Sequence, residues 1–169
     1  VLVPRWATAQ STDSARGAPA PLDGPNRPVR DSLLDRLVGS WRVSRELQNR
    51  TTITAVTAEW VLNHQFVRLH YRDQSTPSSY EAMVFIGYDN ASERYVAHWL
   101  DVFGGRWSET LGYGTSVPRG IRLMFEYPDG PFVNTFTFDD AKKEWASVMR
   151  RKNARGEWVT FGQERWTRN

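Results

Sequence analysis

From residue 31 onward the chain takes on a period-two texture that resumes after every turn signal; no other feature limits this chain as much. A strand points successive side chains to opposite faces, so the pattern codes half-buried strands and conflicts with the 3.6-residue period of a helix. Ten segments carry it, at residues 40–48, 52–63, 65–73, 80–88, 94–103, 106–116, 120–127, 131–139, 143–151 and 157–167. Turn-forming residues separate them, among them Ser75-Thr76-Pro77, Gly104-Gly105, Pro128-Asp129-Gly130 and Asn153-Ala154-Arg155-Gly156. The one helical signal is short: Asp31 or Ser32 as N-cap before Leu33, Leu34 and Leu37, with Gly39 as its stop. Parallel strands need crossovers that the pattern lacks, so the strands run antiparallel in sequence. A flat sheet of ten would expose two edges, and closure removes them. The expectation is an all-β fold, an antiparallel up-and-down β-barrel of about ten strands with a short helical turn before the first. Eight strands leave room for side chains or one small ligand, so ten enclose a cavity that side chains alone do not fill.

The first 30 residues have another texture. They hold five of the nine prolines and one aromatic residue, Trp6. Such a segment buries too little apolar surface to offset its ordering entropy. The chain thus divides into a Pro/Ala/Ser-rich tail, residues 1–30, and a barrel domain, residues 31–169. Ala7-Thr8-Ala9 has the small-x-small form that signal peptidase cuts after, which points to a periplasmic or secreted protein. Leu2-Val3-Pro4-Arg5 reads as the remnant of a protease-cleavage tag, and a lid over the barrel mouth is a third reading of the tail.

The net charge is +3, and the pI near 9.4 raises the question of a nucleic-acid partner. Four arginines against two aspartates in the tail account for two of those three charges. The barrel is therefore close to neutral, and its densest cations, Lys142, Lys143, Arg150, Arg151, Lys152 and Arg155, are interleaved with Asp139, Asp140, Glu144 and Glu157, so no nucleic acid is expected. No transmembrane segment is expected either, because charged residues break every apolar run well short of the roughly 20 residues a span needs. Cysteine is absent, which removes disulfides, thiolate metal sites and cysteine nucleophiles.

Both faces of two strands are apolar. Tyr80, Ala82, Val84, Ile86 and Tyr88 oppose Met83 and Phe85, and Tyr95, Ala97 and Trp99 oppose Val96 and Leu100. A barrel wall needs one apolar face, so the second implies a cover over the outer wall of strands 80–88 and 94–103, a homodimer in preference to the tail.

Charged residues also stand among aromatics. Arg68 and His70 share a face with Phe66, Asp101 with Trp99, and Glu109 with Trp107, Leu111 and Tyr113. If these faces turn inward, they form an aromatic cavity with convergent polar groups, the usual shape of a small-molecule site. The leading reading is binding of a small hydrophobic or amphipathic molecule, lined by Trp60, Arg68, Trp99, Trp107, Phe125 and Phe136, with Arg68 as anion or carbonyl anchor. The alternative is a cofactor-independent isomerase, cyclase or lyase in the same cavity, using Asp101, Glu109 or His70 as acid or base. A structural or assembly protein that works through its outer wall is the third. The plain structural account of these charges is exposure to solvent, or an internal Arg68–Asp101 pair. Gly112-Tyr113-Gly114 lacks the third glycine of a dinucleotide loop and precedes no helix. His64, His70 and His98 offer no two imidazoles at i, i+2 on one face, so neither a metal site nor a cofactor is expected.

Gly39-Ser40-Trp41, opening the first strand after the short helix, resembles the Gly-x-Trp motif of lipocalins and their calycin relatives. The resemblance implies that Trp41 plugs the closed end of the barrel and that Arg165 or Arg168 of the last strand lies across it. Leu37-Val38-Gly39-Ser40-Trp41, Trp60 through Val67, and Gly87-Tyr88-Asp89 through Trp99-Leu100-Asp101 are similar to an uncharacterised bacterial lipocalin-like family, a domain of unknown function, over about residues 33–168. Asn63-His64 stands where that family tends to have glycines, so a differently shaped turn is expected there. Fatty-acid-binding proteins and haem-binding nitrobindins share the general architecture; the latter ligate haem from near the C-terminus, where this chain has no histidine. The resemblance bears on fold more than on function, since that family's activity is not established.

Overall fold

The computed structural model describes residues 28–89 and 92–169. Ala7-Thr8-Ala9, Leu2-Val3-Pro4-Arg5 and the export, tag and lid readings attached to them lie outside the described residues. The order of elements is α1 (Ser32–Leu37), β1 (Gly39–Leu47), β2 (Arg50–Val61), β3 (Phe66–Asp73), β4 (Glu81–Asp89), β5 (Arg94–Asp101), α2 (Gly105–Ser108), β6 (Leu111–Val117), β7 (Gly120–Tyr127), β8 (Gly130–Asp139), β9 (Glu144–Lys152) and β10 (Trp158–Arg168). Each strand pairs antiparallel with the next, and β10 returns to β1 with Trp41 opposite Arg168 and Leu47 opposite Gly162. The barrel is closed, as the alternation requires once no edge is left unpaired.

One end is packed solid. Asp31 caps α1, its Oδ1 accepting from the backbone N–H of Leu33 and Leu34, and the buried faces of Leu34 and Leu37 rest on the barrel. A helix this short leaves its C-terminal carbonyls unpaired, and side chains of the barrel take them. Trp41 Nε1 donates to Leu37 O, Trp145 Nε1 to Arg36 O, and Arg168 Nη1 to Val38 O. Arg168 also lies 3.8 Å from the ring centre of Trp41, so of the two arginines expected against that ring it is Arg168. Arg165 faces outward and forms a two-pronged pair with Glu144. Gly39 makes this corner possible: its φ of +130° suits glycine, and a Cβ there would meet Arg168 Nη1 at 1.9 Å. The turn from β2 to β3 is of a special shape, with Leu62, Asn63 and His64 all at positive φ.

One expected strand is shorter than its alternation suggests. The segment 106–116 enters β6 only at Leu111, and residues 105–108 form the single turn α2. Gly104, at φ +71°, turns the chain, and its carbonyl accepts from the N–H of Trp107 and Ser108. In consequence β5 and β6 pair only from Tyr95 opposite Gly114 to His98 opposite Leu111. The end of β5, at Trp99 to Asp101, stays paired with β4 on one side and has α2 in place of β6 on the other.

Inward-facing residues fill the lower half of the barrel. Trp41, Trp166, Phe136, Val43, Leu69 and Leu123 are fully buried there. The outer wall of β4 to β7 carries partly exposed apolar side chains, among them Met83, Leu111, Tyr113 and Met124.

Candidate functional site

Above the packed half the barrel is hollow. A cavity of about 770 Å³ opens at the end where β1 meets β2, β3 meets β4, β5 meets α2, β7 meets β8 and β9 meets β10. Between the two halves lies a layer of polar side chains. Arg45 Nε donates to Glu164 Oε1 at 2.6 Å, and Glu164 Oε2 accepts from Trp166 Nε1 at 3.0 Å. Both partners of this ion pair are buried. Burial works against the Arg45 charge, but Glu164, Tyr80 and Tyr71 beside it together outweigh that, and the guanidinium is held above its ordinary value. The guanidinium carbon stands 4.6 Å from the Tyr80 ring centre and 5.6 Å from that of Tyr71. Burial also pushes the Tyr71 phenol well up, so it stays neutral. Its hydroxyl is the one buried side-chain polar atom without a hydrogen-bond partner among the described residues. Across the layer, Ser147 Oγ donates to Asn134 Oδ1 at 2.8 Å.

Aromatic rings build one side of the cavity. Phe125 and Tyr127 of β7 stack in parallel at 5.4 Å, Trp107 of α2 meets Tyr127 edge-on at 6.0 Å, and Phe132 of β8 joins Tyr127 to Phe161 of β10. Phe125 occupies that place because Gly112 leaves it; a Cβ at Gly112 would lie 2.4 Å from the Phe125 ring. The other side is polar. Thr52 and Thr54 of β2, Tyr80 before β4 and Asp101 at the end of β5 line it with Arg45. Trp99 Nε1 donates to the Tyr80 hydroxyl at 3.2 Å. Burial raises the Asp101 carboxyl above the usual aspartate range, opposed by the backbone N–H of Phe103 and by Arg45.

Residues 30–168 match the family described as protein of unknown function, DUF1579. The chain belongs to the DUF1579 family. No curated protein gives a significant match.

In this DUF1579 barrel the residues singled out from sequence fall into two groups. Trp99, Asp101, Trp107 and Phe125 line the cavity. Phe136 is inside the barrel, 5.9 Å from Trp166, in the packed half below the polar layer. The others do not line the cavity. Arg68 pairs with Glu59 across β2 and β3 on the outer face, so the inward orientation considered for its face is corrected, and with it the Arg68–Asp101 pair. The physical reason is visible in β3, whose buried residues are Val67, Leu69 and Tyr71; Phe66, Arg68 and His70 alternate with them. His70 Nε2 accordingly meets Glu81 Oε1 at 2.6 Å on the outer wall. Glu109 is exposed at the C-cap of α2 and belongs to no strand. Trp60 stands at the closed end, stacked on His64 at 3.8 Å with its Nε1 bonded to Asp35. His98 is likewise outside, bonded to Ser108 O beside α2. Among the described residues no group of three or more His, Cys, Asp or Glu could hold a metal ion. No helix of the described residues is long and apolar enough to cross a membrane.

Sequence reasoning missed Arg45, Glu164 and Asn134. Counting by twos from Trp41 reaches Val43 and Arg45, and counting back by twos from Trp166 reaches Glu164. Both charged residues stand on the inward register of a tryptophan.

Proposed function

We propose that this barrel binds a small amphipathic molecule in its upper cavity. The observation that carries the reading is the cavity of about 770 Å³, walled on one side by rings and on the other by hydrogen-bonding groups. Sites for drug-sized molecules have this volume and this mix of apolar wall with few polar groups. The lipocalin-like closed end, with Arg168 across Trp41, supports the same reading, because barrels of that class enclose a single ligand. Native mass spectrometry beside the denatured mass tests it, followed by stripping and titration with the neutral dye Nile red. The expected result is a bound small molecule, or dye fluorescence that rises on the stripped protein and falls in Met149→Trp, which puts bulk into the cavity. A clean apo mass with no dye response overturns the reading.

A second reading is favoured by Asp101. Its carboxyl is raised by burial and sits in the cavity wall, which suits a group that gives and takes protons. The reaction would be an isomerisation, cyclisation or elimination without cofactor. With the recovered ligand as substrate, Asp101→Asn should lower turnover by orders of magnitude while leaving binding nearly intact; equal turnover sinks this alternative.

The homodimer expected through the outer wall of β4 and β5 stands as a separate proposal, supported by the exposed Met83 and the half-buried Phe85, Val96 and Leu100. Light scattering tests it, and a mass near 19.5 kDa at micromolar concentration would rule it out.

A further inference from the structure

We infer that the ligand is a neutral, flat, ring-based molecule carrying hydroxyl or carbonyl groups along one edge, and not a lipid with a charged head and an apolar chain. This rests on the binding reading above and narrows it. The first observation is the direction in which the cavity changes polarity. Trp107, Tyr127, Phe132 and Phe161 form a continuous arc of rings, successive centres lying 6.0, 5.9 and 5.4 Å apart. Opposite them, Thr52, Thr54, Tyr80 and Asp101 supply the polar groups, with Trp99 and Phe103 among them. A head-and-chain molecule matches a site whose polarity changes with depth. Here, between the polar layer at the floor and the charged mouth, it changes across the width, which matches a molecule whose two edges differ.

Charge is the second observation. The cation at the cavity floor, Arg45, is already engaged by Glu164 at 2.6 Å, with both side chains buried. A carboxylate or sulfate head arriving there would add a buried charge with no uncompensated partner. At the mouth Arg50, Arg151 and Lys152 stand against Asp73 and Asp129, so the mouth gives an anion little attraction either. A neutral ligand meets neither penalty.

The third observation is the supply of donors. The bond from Ser147 to Asn134 Oδ1 fixes the amide so that its Nδ2 hydrogens, and not its oxygen, are left to the cavity wall. Thr52 and Thr54 add hydroxyls. Oxygens along one edge of the ligand would meet Thr52 and Thr54, its lower end the Asn134 amide of β8, while its flat face meets the rings. A rigid ring system loses little conformational freedom on binding, which favours it over a chain.

The test is quenching of tryptophan fluorescence, which reports on Trp99 and Trp107 in the cavity wall, with three probes in mildly acidic buffer. Naringenin is a neutral flavanone with hydroxyls and a carbonyl; unsubstituted flavanone has the same frame without the hydroxyls; dodecanoate is the chain anion. Naringenin should bind tightest, flavanone about tenfold more weakly because the donors are left unpaired, and dodecanoate without saturation. Thr54→Val, nearly isosteric, should weaken naringenin several-fold and leave flavanone unchanged, which separates a lost hydrogen bond from a damaged fold. Any other order of the three probes, or equal weakening of both flavanones, overturns the inference. If dodecanoate binds tightest, the binding reading stands and only the ligand class falls. If none of the three binds and the neutral dye Nile red also fails to respond, both fall.

Discussion

At the scale of single residues, the polar layer contains one group with no partner and two with strong ones, and their substitutions should differ in sign. Tyr71 is fully buried and its hydroxyl makes no hydrogen bond. Removing an unsatisfied buried polar atom while keeping the ring costs little, so Tyr71→Phe should be neutral or stabilise by up to about 1 kcal/mol in urea denaturation. A loss above that would mean the hydroxyl is bonded in solution. Arg45 and Glu164 behave oppositely. Arg45→Met leaves Glu164 charged, buried and without its cation, and should destabilise by about 3–5 kcal/mol, whereas Arg45→Met with Glu164→Leu should recover most of that loss. The same chemical denaturation measures both, and a double variant no better than the single would contradict the assignment. Asp101 gives a pH dependence. Its carboxyl is raised in the folded state by burial, so the fold binds this proton more tightly than the unfolded chain does. Below the ordinary aspartate range both states are protonated and Asp101 contributes nothing. As pH rises through that range towards the raised value, stability falls. Asp101→Asn should therefore be more stable than the parent at neutral pH, with the difference vanishing in acid.

Elements show how much of this arrangement can be read from the residues themselves. The strands of the closed half follow the alternation because one face of each meets a packed core, which makes register the cheapest thing to specify. α2 escaped that logic: Trp107, Glu109, Leu111 and Tyr113 keep strand spacing, yet Gly104 and Gly105 let the chain coil for a turn first. Which way β3 faces was equally hidden, because Phe66 and Val67 are both apolar and the deciding partner, Tyr71, is distant in the pattern. The Arg45–Glu164 pair joins residues 119 apart, and each alone looks like an ordinary solvated charge. The junction of α1 with β1 and β10 is where sequence and structure agree most closely, and it is a place for substitution. Gly39→Ala would force a side chain into left-handed backbone and drive Arg168 off Trp41. A loss of about 1–3 kcal/mol is expected, with thermal unfolding as the measurement. An unchanged midpoint would show that the corner yields freely.

The whole molecule is a barrel with two halves that differ in what holds them. Below the polar layer, Trp41, Trp145 and Trp166 are fully buried, the last strand closes on the first, and α1 seals the end. Above it, β5 at Trp99 to Asp101 is paired on its β4 side only, α2 fills the gap on the β6 side with one turn, and the cavity removes the contacts a core would supply. Local opening follows the density of buried contacts, so the two halves should open with different free energies in one cooperative fold. Hydrogen exchange should find the slowest amides in β1, β9 and β10 near Trp41, Trp145 and Trp166, and the fastest, apart from exposed turns, in α2 and the end of β5. A ligand that bridges the aromatic and polar sides joins β2 to β7 across the hollow half. Its addition should slow exchange at Thr54, Trp107 and Tyr127 while leaving the closed end unchanged, since only the upper half has contacts to gain. Uniform slowing along all ten strands would instead mean that the barrel opens as one unit and that the polar layer divides nothing.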